Sequence, residues 1–308
     1  MTVMKGVFAF ANDRLSLLAY LLLAAVSIWW AGSYVLIKIA VLDVPPATLA
    51  TARLLIAATV LLVWLKFGDA GSLPADLDAW ARYAQVAMFG HALPLYLIAW
   101  ASMTVPVSEM AILVATTPFF AVLLAHLALR ERPSRATIFG LLLGFISLAA
   151  FLIPSTVSTL HSSKSAVPLI ALLVAAASYA LSGRAVARLQ DKNALVTGTA
   201  VMICAIPMLL PLSLAFERPW AITPTAQTLV ALPVLGVVST AVMYVAYYRL
   251  IRLSGPAFAS THHYLVPALS IAFGAAFLGE RPTPIQLVLM MPIVASVFIV
   301  RGLISRKL

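Results

Sequence analysis

Long apolar runs separated by short polar joins fill this chain of 308 residues. A helix needs about 20 mostly apolar residues to cross a bilayer. Ten stretches reach that length: 15–38, 47–66, 79–102, 106–129, 135–154, 166–188, 194–215, 226–249, 256–278 and 284–303. Prolines mark several joins, at Pro45-Pro46, Pro106, Pro133, Pro256 and Pro282. Proline suits a helix start, where its missing N–H is not needed. Ser134 and Thr283 are placed to cap the fifth and tenth segments. The opening MTVMKGVFAFANDR lacks a cleavable signal followed by a polar mature domain, so the first run is expected to stay as a permanent helix.

One stretch occurs twice. Leu113–Ser134 and His263–Thr283 both run apolar, carry an early proline (Pro118, Pro267) and end in Glu-Arg-Pro (Glu131-Arg132-Pro133, Glu280-Arg281-Pro282). The offset is 149 residues at both marks. AAVSIWWAGS (24–33) and AAASYALSG (175–183) are a fainter part of the same repeat. The domains expected are 1–155 and 165–308, with five helices each. Five is odd, so the halves must insert in opposite directions.

Charge gives an orientation. With the N-terminus in the cytoplasm, 15 of the 20 Lys and Arg fall on the inside and only Lys164, Arg218 and Arg281 outside. That is the bias seen in membrane proteins. The fold class expected is therefore an all-α integral membrane protein, ten transmembrane helices as two inverted five-helix repeats, with both termini cytoplasmic. Lys38 and Arg53 fall inside helices, and snorkelling to the outer interface is the reading preferred for both.

Composition agrees: 63% of residues are hydrophobic and 10% charged, where a soluble domain carries about a quarter charged. The basic excess punctuates apolar runs instead of forming a face, which argues against nucleic acid. A single cysteine, Cys204, excludes an intrachain disulfide. No cofactor, catalytic or metal site is expected: His-Glu-x-x-His, paired membrane carboxylates and a Gly-rich phosphate loop are all missing.

The repeated segments ending in Glu131-Arg132-Pro133 and Gly279-Glu280-Arg281-Pro282, with the ten-helix layout, resemble the drug/metabolite transporter superfamily in its EamA-like branch. The chain is also similar to the YddG-type exporters of aromatic amino acids. The resemblance implies export of small metabolites from the cytoplasm through a central cavity, in a bacterial inner membrane.

Polar and aromatic side chains deep in the membrane should face the bundle interior. On the first segment these are Ser27, Trp30, Ser33 and Tyr34, on the third His91 and Tyr96, on the sixth Ser178, Tyr179 and Ser182, and on the eighth Ser239, Thr240, Tyr244 and Tyr247. Eight form the expected substrate site. Trp30, Tyr96, Tyr179 and Tyr244 supply stacking surface, and Ser33, His91, Ser182 and Thr240 orient the polar group. Each has a plain alternative as a packing residue. Adjacent His262 and His263 on the ninth segment point to different faces, so at most one faces a cavity. Tyr248 and Arg249 are assigned to the cytoplasmic interface. Glu131 and Glu280 are read as favourable charges at the starts of the fifth and tenth segments.

The function expected is alternating-access export of amino acids, aromatic or large and apolar. Alternatives are another small metabolite or drug, with or without proton coupling, and a passive channel. A phosphorylated substrate would need a basic group at mid-depth, and Lys38 and Arg53 look peripheral. No carboxylate lies at mid-depth in any segment, which leaves facilitated transport open. The partners expected are an amino-acid substrate and the lipid bilayer. A monomer is preferred to a dimer, although Gly140–Gly144 offers a small-residue packing face.

Overall fold

A computed structural model describes residues 14–68, 71–129, 166–187, 193–259 and 262–282, with single positions scattered through 138–150, 189 and 284–295. The first four predicted segments and the sixth to ninth are traced; most of the fifth and tenth lie outside the described residues, as do Glu131, Ser134, Gly144 and Thr283. The traced helices are α1 (Arg14–Ala40), α2 (Pro46–Phe67), α3 (Leu77–Ser102), α4 (Val107–Val114 and Thr117–Leu129), α5 (Val167–Ala187), α6 (Ala194–Glu217), α7 (Ala226–Pro233, Val234–Val242 and Met243–Ala259) and α8 (His262–Leu278). Six of them are long and apolar enough to cross a membrane.

The starts follow local chemistry. Pro45 and Pro46 open α2. Asp76 accepts from the Asp78 and Ala79 amides at the start of α3, and Asn193 accepts from Leu195 at the start of α6. Prolines decide the irregularities. Pro94 cannot donate to the ladder behind it, and residues Met88–Ala92 widen into a π-helix immediately before it. The Phe89 carbonyl freed there accepts from Ser178 Oγ at 2.8 Å. Pro118 leaves the Val114 carbonyl to the Thr117 hydroxyl at 2.7 Å, and α4 breaks at Ala115-Thr116 instead of running unbroken. Conversely, α7 runs through the predicted join at Gly255-Pro256 to Ala259. One missing donor did not end the helix there.

The contacts show the inversion. Lys38 at the end of α1 reaches the Ser102 and Val105 carbonyls at the end of α3. Arg184, near the end of α5, reaches the Leu124 carbonyl far along α4. Because α4 starts beside the end of α3, α5 runs opposite to its repeat counterpart α1. Helix α1 packs on α7 and α8, and its counterpart α5 packs on α3 and α4. Small residues sit at the crossings, Ala31, Ala57, Ala87, Ala175 and Ala205 among the buried ones, which lets helix backbones approach in lipid, where no hydrophobic drive separates helix from helix.

Candidate functional site

The centre of the bundle is built where α1, α2, α3, α5, α7 and α8 converge. Trp30, on α1, points inward while its neighbour Trp29 is exposed. Its indole Nε1 donates to the Ser239 carbonyl of α7 at 3.2 Å. Its ring lies 5.2 Å from Tyr244, 5.1 Å from Tyr247 and 4.8 Å from His262, the last edge-on. These are aromatic-pair distances with tilted or T-shaped planes. Tyr244 in turn lies 4.2 Å from His91 of α3.

His91 and Thr240, which the 149-residue offset superposes, each sit on a π-helical stretch, Met88–Ala92 and Val234–Val242. The widened turn has a consequence at Thr240. Its hydroxyl donates to the Leu235 carbonyl, five residues back, at 2.7 Å. The hydroxyl oxygen is thereby left as an acceptor, and Arg53 of α2 donates to it from Nε at 3.2 Å and Nη2 at 3.1 Å. His91 is buried and neither ring nitrogen closes a hydrogen bond; the Ser239 hydroxyl is also buried without a partner.

Arg53 corrects the expectation of a snorkelling side chain. It is 4% exposed and bonds inward. It lies seven residues into α2, about 10 Å along the helix axis, and Thr240 lies fourteen residues into α7, about 21 Å from its start. Tyr34 and Tyr244 are buried and Tyr179 half-buried in the same bundle. No carboxylate among the described residues pairs with the guanidinium; the ion pair found there is Arg82 with Asp76 at 3.8 Å, at the surface. Lys38 fits the snorkelling reading, half-buried with Nζ on the carbonyls at the end of α3.

The eight expected site residues divide. Trp30, His91, Thr240 and Tyr244 come together; Tyr179 is half-buried on α5 against the apolar core that Trp30 also packs on. Ser182 packs on α3, where a Cβ at Gly90 would collide with its hydroxyl. Ser33 donates to the Trp30 carbonyl of its own helix, and Tyr96 is half-buried in apolar packing. Tyr248 is buried against Tyr244, while Arg249 is exposed. The eight omitted Arg53, His262, Tyr247 and Tyr34, although Tyr34 and Tyr247 stood on inward-facing stripes and one of His262 and His263 was free to face a cavity; the signal for Arg53 was its depth of two helical turns. The described residues hold no group of three His, Cys, Asp or Glu able to bind a metal ion.

A second polar layer lies at the end assigned to the outside. Glu217 accepts from the Ala47 and Thr48 amides at 3.0 and 2.6 Å. Glu280 accepts from Val107 and Ser108 at 2.7 and 3.2 Å. Asp43 accepts from the Thr225 amide at 2.9 Å and from the Thr228 hydroxyl at 2.6 Å. The Thr225 and Thr228 hydrogen bonds hold the Asp43 carboxyl below the usual carboxylate range. Glu280 thus caps α4, and the expectation that it serves the tenth segment is corrected. The turn explains why: Gly279 takes a left-handed φ of 65° and the Glu280 amide bonds back to Gly274, a helix-ending motif that only glycine adopts easily. Gly274 leaves room for the returning carboxylate, which a Cβ there would meet at 2.7 Å.

Comparison with known proteins agrees with this architecture. A solved structure superposes with a TM-score of 0.64 at 17% identity, over 94% of this chain and 98% of that one; it shares the fold. An uncharacterized transporter of Archaeoglobus fulgidus is 26% identical over 269 residues, 85% of this chain and 90% of its own. A probable terminal-alkyne amino-acid exporter of Streptantibioticus cattleyicolor is 28% identical, covering 84% of this chain and 85% of its own. The uncharacterized inner membrane transporter YedA of Escherichia coli K12 is 25% identical over 90% of this chain and 89% of its own. The EamA-like transporter family matches residues 17–153 and again 166–302. With both halves matched, the chain belongs to the EamA-like transporter family, as a multi-pass membrane transporter.

Proposed function

We propose that this transporter exports amino acids with aromatic or large apolar side chains across the bacterial inner membrane, by alternating access between its two inverted halves. The observation that carries this reading is the ring group of Trp30, Tyr244, Tyr247 and His262, assembled from both halves at the bundle centre. Such rings offer stacking surface to an apolar side chain, and the polar groups beside them suit an amino acid's charged end. The amino-acid exporter among the relatives supports the substrate class. Sites between inverted repeats near the midplane are the usual place for transported substrates.

Counterflow in proteoliposomes tests it. Preloaded tryptophan or phenylalanine should accelerate entry of labelled tryptophan, and glycine should not. Equal effects of glycine and tryptophan would remove the aromatic preference, and loss of trans-stimulation would turn the carrier into a channel. One observation favours a second reading, a phosphorylated metabolite: the buried cation Arg53 supplies the mid-depth basic group such a substrate needs.

A further inference from the structure

We propose that Arg53 is the anchor for the substrate's carboxylate, with Thr240 fixing its guanidinium in place. This rests on the amino-acid reading above and names the group that makes a free carboxylate obligatory.

A guanidinium carries five N–H donors in a planar fork and cannot shed its charge. In this structure Nε and Nη2 converge on one neutral acceptor, Thr240 Oγ1. Nη1 has no hydrogen-bond partner among the described residues. A charge held 4% exposed inside a bundle is costly unless paired, and the pair this fork fits best is a carboxylate held through two parallel bonds. Nothing described in the chain supplies one. The buried tyrosines of the bundle, Tyr34 and Tyr244, are neutral hydroxyls that do not compete as anions. Tyr244, one helical turn along α7 from Thr240, belongs to the ring group, so the anchor and the aromatic surface are neighbours on one helix. An amino acid carries the matching pair of groups: a carboxylate for Arg53 and a side chain for the rings.

Binding of defined probes to purified wild type and variants tests this, read by calorimetry and by the shift in melting temperature. The probes are tryptophan, indole-3-propionate, tryptophanamide, leucine and inorganic phosphate. Wild type should bind tryptophan on the order of 100-fold more tightly than tryptophanamide, with indole-3-propionate retaining most of the affinity. Arg53→Gln should erase that difference, and Arg53→Lys should restore part of it, since a lysine supplies charge without the fork. Thr240→Val keeps the charge and loses the acceptor that locates it. It should weaken tryptophan by roughly 10-fold and tryptophanamide little, which keeps the test open should Arg53→Gln not fold.

Equal wild-type affinity for tryptophan and tryptophanamide would overturn the anchor, as would a parallel loss of both in Arg53→Gln and Thr240→Val. Leucine binding that depends on Arg53, with no gain from an indole, would uphold the anchor and overturn the aromatic reading; phosphate binding that depends on Arg53, without binding of tryptophan or leucine, would overturn the carboxylate anchor in favour of a phosphorylated substrate. The two failures are therefore distinguishable.

Discussion

Charge is handled in opposite ways at the two polar levels of this protein. At the end assigned to the outside, Asp43, Glu217 and Glu280 each settle on the start of a helix. There the unpaired amides and the positive end of the helix dipole satisfy a carboxylate fully. All three contacts cross between the sequence halves. At the centre, Arg53 has one neutral hydroxyl, and the buried Ser239 hydroxyl closes no hydrogen bond. A charge satisfied by the chain belongs to the architecture. A buried charge left half-satisfied points to something the chain does not contain.

That contrast can be tested beyond Arg53 itself. The largest effect is expected at the rings. Trp30→Ala removes the hub of three ring contacts, each worth about 1 kcal/mol, and should cut the preference for tryptophan over leucine in counterflow by about 10-fold or more. Equal loss for both substrates would demote Trp30 to packing. Next comes the crossing that brings Arg53 to Thr240. A Cβ at Gly236 would lie 2.6 Å from the Ile56 Cβ, so Gly236→Ala must push α2 and α7 apart. It should cost about 1–3 kcal/mol, seen as a lower melting temperature, and should weaken tryptophan along with it.

The carboxylate layer should respond differently. Glu280→Ala or Glu217→Ala strands two amides and should lower stability by about 1–3 kcal/mol, measured by thermal unfolding in detergent. Affinity for tryptophan should hold; a loss as large as that of Arg53→Gln would break the comparison. The smallest effect is at Asp43. Its carboxyl titrates below the ordinary value of about 3.9. Its contribution is thus complete above that pH and is lost as pH falls through the depressed value. Asp43→Asn should remove that contribution at neutral pH, seen as a slightly lower melting temperature, and should flatten the acid limb of the melting curve.

Much of this was legible in the sequence. Apolar run length gave α1, α2, α3, α5 and α6 within three residues at each end, because a lipid-embedded backbone has no alternative to long helices. The 149-residue repeat gave the inversion through a parity argument. Trp30, Tyr179, Thr240 and Tyr244 were visible as polar or aromatic positions at helical spacing. The breaks were less visible. Pro118 interrupts α4 and Pro256 does not end α7, since each removes a single donor and the outcome depends on which neighbour takes the freed carbonyl.

Hydropathy and repeat therefore determined the traced helices and the opposed directions of the two halves, since these depend on each segment's own chemistry. The tertiary structure alone decided where charge goes. Arg53 looks the same in sequence whether it snorkels outward or turns inward; the α2–α7 crossing at Gly236 and the widened turn at Thr240 chose inward. Glu280 looks like a cap for the helix that follows it. The left-handed turn at Gly279 sends it to α4 instead, 173 residues back in the chain, because a carboxylate goes to the amides that folding brings within reach.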